Sequence, residues 1–151
     1  MNIEIDLETI KLDNNQIFGH LYFQENDFFF PSKDWNEFIV IVLNWWCESL
    51  ISLLENKALI GELDFMDGPF SVRVNLIEES NFNLFFKKDN EILNSYQVNS
   101  LKFTKEFLKQ VNALLRNIKD IDEANTRDVK KLIKNYKTLR LTLKKIISEI
   151  N

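Results

Sequence analysis

The sequence predicts a single α+β domain in which an antiparallel sheet of five or six strands packs on a central helix. Apolar and polar residues alternate through much of residues 3–98, as in half-buried strands. The stretch Phe28 to Leu54 interrupts this alternation, because it passes from an aromatic strand into a helix that is apolar nearly all round. From Ser100 the apolar period becomes helical. The predicted order is ββαβββαα, with residues 1–99 forming the sheet and central helix and residues 100–151 a helical hairpin.

Composition limits the class of protein. The chain has 151 residues, of which 45% are hydrophobic, with 3 Gly and 2 Pro, so one folded core is expected and disorder is not. Acids near the start occupy the place where a secretory signal has a basic end, and Asn44 and Glu48 interrupt the most apolar run. We therefore expect a cytoplasmic protein without a membrane span. Cys47 is the only cysteine, which excludes an internal disulfide.

The first elements are expected to be a β-hairpin and a short third strand. Residues 3–7 alternate with acids, and residues 16–24 follow a polar turn, which predicts two paired strands. Phe28–Phe30 is expected to form a short third strand or to continue the second.

The central helix is expected to begin near Ser32. Ser32 or Asp34 would be its N-cap, and Glu37 would complete a capping box with Asp34. Its expected inner face consists of Trp35, Phe38, Ile39, Val42, Leu43, Trp46, Leu50, Leu53 and Leu54. We expect Trp46 to be buried where this helix meets the sheet.

A meander of strands should follow the central helix. Its first two strands are expected at residues 59–66 and 70–76, the same alternation continues at residues 82–86, and residues 92–98 should form the last strand. Asp67 and Gly68 are a favoured pair for a two-residue turn, and counting back from them places Glu62 directly opposite Arg73. Such a pair contributes a few tenths of a kcal/mol.

Two amphipathic helices are expected to complete the fold. The apolar stripe of the first consists of Phe107, Leu108, Val111, Leu114, Leu115 and Ile118. The stripe of the second consists of Val129, Leu132, Tyr136, Leu139, Leu143, Ile146 and Ile150. Because only the polar segment 120–125 separates them, they should pack as an antiparallel hairpin.

The sequence predicts no catalytic residue, no cofactor and no metal site. It contains no glycine-rich phosphate loop, no serine elbow and no HExxH motif. His20 is the only histidine, and a metal site needs further ligands nearby. Cys47 should be buried and therefore inert. Segment 120–125 resembles a calcium loop only superficially, since it lacks the required glycine and the twelfth-place glutamate.

Charge is unevenly distributed along the chain. Residues 1–100 contain 17 acidic and 6 basic side chains, whereas residues 101–151 contain 6 acidic and 13 basic ones. Each half can therefore steer a partner of opposite charge. The residues expected to contact a partner are Trp45, Glu62, Asp64, Glu78 and Glu79. Trp45, with Val40 and Ile41, lies opposite the inner face of the central helix, and these three are either core or an exposed interface patch.

The last helix carries a basic face that includes Lys130, Lys134, Lys137 and Lys144. Three interpretations are open: a solvated face or one docked on the protein's own acidic sheet, a site for an acidic protein, and a site for nucleic acid. The third is the least expected, because the face lacks interleaved aromatic residues and the rest of the molecule is acidic.

Two segments resemble a pattern in known proteins. FPSKDWNEFIVIVLNWW, at Phe30–Trp46, and FMDGPF, at Phe65–Phe70, are similar to segments of small, mostly uncharacterised bacterial proteins built like the immunity proteins encoded beside polymorphic toxins. The resemblance implies a compact α+β protein that binds and blocks a toxin domain. An acidic surface would suit a cationic toxin such as a nuclease. The expected function is therefore a non-enzymatic protein-binding module, and the alternative is an adaptor that binds nucleic acid or an acidic partner through the basic helix.

Overall fold

The computed structural model describes residues 1–78, 80–119, 121 and 126–150. The strands are β1 (Asn2–Asp13), β2 (Gln16–Glu25), β3 (Phe28–Phe30), β4 (Asn36–Phe38), β5 (Ile60–Asp64), β6 (Phe70–Glu78), β7 (Asn81–Lys88) and β8 (Glu91–Asn99). The helices are α1 (Ile39–Leu54), α2 (Ser100–Ile118) and α3 (Thr126–Ile150). The α+β class and the antiparallel pairing are confirmed.

The strands form two sheets of four strands each, so the prediction of one sheet of five or six strands is wrong. In the first sheet, β1 pairs with one edge of β2, and the short strands β3 and β4 pair with β2 at different residues. The second sheet is a meander in the order β5-β6-β7-β8. Four strands therefore precede α1 and four follow it, so the predicted order ββαβββαα is matched only in part.

The two sheets stay separate because α1 occupies the outer edge of β5. Ser49 Oγ of α1 donates a hydrogen bond to the backbone oxygen of Glu62 at 2.8 Å. Trp46 Nε1 donates to the backbone oxygen of Asp64, also at 2.8 Å. These carbonyl groups would otherwise be available to a further strand, and an edge strand whose acceptors are occupied ends its sheet.

The helix α1 begins at Ile39 and not near Ser32, so the predicted capping box is wrong. Ser32 Oγ bonds to the Asp34 carboxylate at 3.0 Å, and Asn36–Phe38 forms β4 in place of a first helical turn. The Glu37 carboxylate accepts a hydrogen bond from the backbone N–H of Met66, far along the chain. Because the Glu37 carboxylate takes part in this tertiary hydrogen bond, it does not form the bond to a helix N-cap that a capping box requires.

The core is centred on Trp46, whose predicted burial is confirmed. Its ring centroid lies 5.3 Å from those of Phe23 in the first sheet and Phe65 in the β5–β6 connection, and 6.3 Å from that of Phe107 in α2. The predicted inner face is wrong at Phe38, which lies on β4 and is half-buried. Of the side chains expected opposite that face, Val40 is buried and Trp45 is exposed.

The predicted register of the first meander hairpin is confirmed, since Glu62 lies opposite Arg73. Arg73 Nε approaches Glu62 Oε1 to 3.2 Å. The β5–β6 ladder stops at Asp64 and Ser71, so the connection is longer than the predicted two-residue turn. It includes Gly68, whose φ of 96° lies in the left-handed region that favours glycine.

The C-terminal helices begin where their period predicts. Asn99 caps α2 by accepting hydrogen bonds from the backbone N–H groups of Leu101 and Lys102. Of the stripe predicted for α2, only Leu115 is less than fully buried. In α3 the stripe buries Leu132, Leu139 and Leu143, while Ile150 is exposed. α3 packs on both α1 and α2. The predicted connection at 120–125 lies outside the described residues except for Ile121.

Candidate functional site

Three of the five predicted partner-binding residues lie in one groove between α1 and the edge strand β5. The groove has a volume of about 470 Å³ and its lining includes Trp45, Glu48, Ile60, Glu62 and Asp64. We call it the acidic groove. Its apolar centre is accessible, because Trp45 is 38% exposed and Ile60 is 57% exposed. Hydrogen bonds from two α1 side chains to the backbone of β5 hold this strand in place and give the groove side chains a fixed spacing.

The carboxylates of the acidic groove differ in their surroundings. Glu62 forms an ion pair with Arg73, and Glu48 forms one with Lys131 of α3 at 3.1 Å. Burial raises the pKa of Asp64, as does the charge of Glu62, while Lys87 lowers it. Exposed ion pairs are worth about 1 kcal/mol or less, so a partner's cation can replace them at little cost.

The two other predicted partner-binding residues do not lie in this groove. Glu78 is exposed at the end of β6 and does not line it. Glu79 lies outside the described residues. Of the predicted partner-binding residues that the structure describes, Trp45, Glu62 and Asp64 therefore lie in the acidic groove and Glu78 lies outside it.

The predicted basic residues lie on the solvent side of α3. Lys130, Lys134, Lys137 and Lys144 are all exposed. Near the start of the helix, Lys130 and Lys134 join Arg127, Asp128 and Lys131 in a depression of about 570 Å³. The exposure of this face leaves its cations accessible to solvent or to a partner.

The residues considered for chemistry have ordinary structural positions. Cys47 is buried, and burial together with the charge of Glu48 raises its pKa to about 12, so the thiol stays protonated near neutral pH. His20 is half-buried on β2, where it lies opposite Asp6 on β1 and Asn36 on β4. Within the described part of the chain, the metal-ligating side chains form no group of three or more. No helix in that part has both the length and the apolar character to cross a membrane.

A second surface, on the outer side of the first sheet, was missed at the sequence level. Ile17, Gly19, Leu21 and Phe23 of β2 point inward and are buried. The alternate residues therefore point outward, and they include aromatic side chains. The outer aromatic face consists of Phe18, Tyr22, Phe29 and Phe38, with Glu4, Asp6 and Lys11 beside them on β1. The available signal was the aromatic character of the positions in residues 16–24 that alternate with the buried ones.

The rings of the outer aromatic face are half-buried and lie close together. Phe18 and Phe38 have centroids 4.5 Å apart, and those of Tyr22 and Phe29 are 6.2 Å apart. Lys33 Nζ lies 5.1 Å from the centre of the Phe29 ring. Partial burial raises the pKa of Tyr22, and the nearby charges of Glu4 and Asp6 raise it further. These two carboxylates therefore place negative potential at the Tyr22 ring.

Comparisons with protein-family models, curated proteins and solved structures find no match to this chain. The resemblance to immunity proteins therefore stays a prediction. The two segments that carry it pack against each other: Phe30 contacts Phe70 at 5.5 Å between centroids, and Trp35 contacts Phe70 at 5.3 Å. The Glu37–Met66 hydrogen bond joins the same segments. Their residue types are thus explained by packing between the two sheets.

Proposed function

We propose that this protein is a non-enzymatic protein-binding module, and specifically an immunity protein that binds and neutralises a cationic toxin domain. The observation that carries the proposal is the acidic groove, where an exposed tryptophan and an exposed isoleucine lie among three carboxylates. Binding hot spots combine a large aromatic side chain with a polar surround that excludes water once the partner is seated.

The parts of the groove would contribute to binding in different ways. Trp45 supplies apolar area that a partner can cover, which slows dissociation. Glu48, Glu62 and Asp64 attract a cationic surface and orient it, which mainly accelerates association. The strand β5 and the helix α1 are regular elements, so little conformational entropy is lost when this surface is covered.

The test is co-expression with the toxin encoded beside this protein, followed by measurement of binding kinetics. Wild-type protein should protect the cells and bind the toxin. Trp45→Ala should speed dissociation about 30-fold, the effect expected for a hot-spot residue. Leu141→Ala, which truncates an exposed apolar side chain on α3, is the matched control and should leave dissociation unchanged. If wild-type protein neither protects cells nor binds the toxin, the immunity function is wrong.

The exposed cations of α3 favour a second candidate, an adaptor that binds nucleic acid or an acidic protein. Affinity purification of the tagged protein from its host distinguishes the two functions. The immunity function expects a cationic protein to be recovered. Recovery of nucleic acid or an acidic protein by wild type, and its loss in Lys130→Gln/Lys137→Gln, would favour the adaptor instead.

A further inference from the structure

We propose that the outer aromatic face binds an extended, arginine-bearing segment of a protein partner. The proposal rests on the proposed function, since it names the chemistry by which a cationic partner would be recognised at a second surface. Glu4, Asp6, Phe18, Tyr22 and Phe29 are the side chains that would make the contacts.

This face lies on the opposite side of the first sheet from α1. The inward side of β2 faces α1, since a Cβ atom built on Gly19 would lie 3.6 Å from Ile39 Cδ1. Phe18 and Tyr22 alternate with these inward positions and so point away from the helix. An aromatic cluster on the solvent side of a sheet is a feature of interaction surfaces, because aromatic residues are enriched at interface cores. The outer aromatic face and the acidic groove are therefore separate surfaces.

Charge and shape point to arginine as the complementary side chain. The strand register places Glu4 opposite Tyr22 and Asp6 opposite His20, whereas Lys11 lies opposite Phe18. The carboxylates of this face therefore lie at its Tyr22 and His20 positions. Side chains directly opposite each other have Cβ atoms about 5 Å apart, which puts a carboxylate and an aromatic ring within reach of one guanidinium group. Arginine can stack on the ring and bond the carboxylate through two N–H groups at once. The protein's own Lys33 over the Phe29 ring already shows a cation in contact with this face.

The spacing favours an extended partner. Phe18, His20 and Tyr22 are alternate residues of one strand, and such residues stand about 6.8 Å apart. Alternate side chains of an extended partner have the same spacing, so two arginines at alternate positions would match Tyr22 with Glu4 and His20 with Asp6. Nucleic acid does not fit, because its phosphates would meet Glu4 and Asp6.

The experiment uses a fluorescein-labelled peptide in which arginine alternates with serine, titrated with the full-length protein at low ionic strength. Fluorescence anisotropy should show binding by wild type and weaker binding when lysine replaces arginine. Tyr22→Ser/Phe29→Ser should weaken binding about tenfold through the lost ring contacts. Glu4→Gln/Asp6→Asn removes two charges from surface positions and should weaken it by a similar factor while keeping the fold.

The matched control is Glu62→Gln/Asp64→Asn, which removes the same number of charges from the acidic groove and should weaken peptide affinity less than Glu4→Gln/Asp6→Asn does. The proposal is overturned if the control weakens binding as much as Glu4→Gln/Asp6→Asn does, or if the latter has no effect. It is also overturned if sedimentation shows a wild-type dimer that becomes monomeric in Tyr22→Ser/Phe29→Ser, since the occupant would then be a second copy. Toxin neutralisation without peptide binding would overturn this inference alone, whereas peptide binding without neutralisation would overturn only the immunity function.

Discussion

Glu37 is a buried carboxylate that ties the two sheets together. It is 2% exposed on β4 and accepts hydrogen bonds from the backbone N–H groups of Met66 and Phe38. Burial raises the pKa of Glu37, these two hydrogen bonds lower it, and the charge of Asp67 raises it again, with a net upward shift. The Glu37 carboxyl group therefore binds a proton more tightly in the native state than in the unfolded chain.

This shift predicts a pH dependence of stability. Because protonated Glu37 favours the native state, its contribution to the free energy of unfolding should rise as pH falls from neutrality toward the raised pKa. The contribution should be lost as pH rises through that pKa, and Glu37→Gln should abolish it. Urea unfolding of both proteins from about pH 7.5 to about pH 4.5 measures the difference. Asp89→Asn, at an exposed turn, should keep the wild-type dependence. Parallel curves for wild type and Glu37→Gln would contradict the prediction.

At the scale of elements, a buried asparagine fixes α3 on α1. Asn44 Nδ2 of α1 donates a hydrogen bond to the backbone oxygen of Asp128 at 3.1 Å. Asn44 Oδ1 accepts a hydrogen bond from Asn135 Nδ2 at 2.9 Å. Both partners belong to α3, so this one side chain links the two helices at two places on α3. The contact bears on the acidic groove, because α3 packs on α1 and its Lys131 forms an ion pair with Glu48 of the groove.

Removing this link should destabilise the protein. We expect Asn44→Ala to lower the free energy of unfolding by about 1 to 3 kcal/mol, since the buried Asn44 side chain would lose its hydrogen bonds to half-buried groups of α3. Asn135→Ala should cost less, because Asn135 is only half-buried and water can reach it. A double-mutant cycle by chemical denaturation measures the coupling between them. Asn117→Ala, exposed on α2, is the control. A cost below about 0.5 kcal/mol for Asn44→Ala would show that the link is not a stabilising one.

Elements set by local periodicity could be predicted, whereas those set by distant contacts could not. The alternation around Asp67 and Gly68 was enough to place Glu62 opposite Arg73, because strand register follows directly from residue counting. The start of α1 depends on the bond between Glu37 and Met66, and no local pattern contains that contact. The separation of the sheets depends likewise on side chains of α1 that reach β5.

The same distinction applies to the candidate surfaces. Glu62 and Asp64 could be placed on one side of a strand by alternation, and Trp45 on the outer side of its helix. Their meeting in one groove required the packing of α1 on β5. The outer aromatic face was visible as an aromatic alternation in β2, but which side of β2 would be covered by α1 depended on the three-dimensional arrangement.

At the scale of the whole molecule, both candidate surfaces belong to the acidic part of the sequence. The acidic groove and the outer aromatic face are built from residues before position 100, which carry 17 acidic and 6 basic side chains. A field of this sign raises the local concentration of a cationic partner before any contact is made. Steering of this kind depends on the summed charge, so a carboxylate outside either surface should contribute to association.

Glu78 allows that expectation to be tested, because it is exposed and does not line the acidic groove. With a cationic toxin as partner, Glu78→Lys should slow association about threefold at low salt while leaving dissociation unchanged. The effect should nearly disappear at about 0.5 M salt, where screening acts within a few ångströms. Stopped-flow or surface-plasmon measurements give both rates. Glu149→Lys, an exposed reversal in the basic C-terminal part, is the matched control and should slow association less. If Glu78→Lys instead changes only dissociation, Glu78 contacts the partner directly and the acidic groove is not the whole interface.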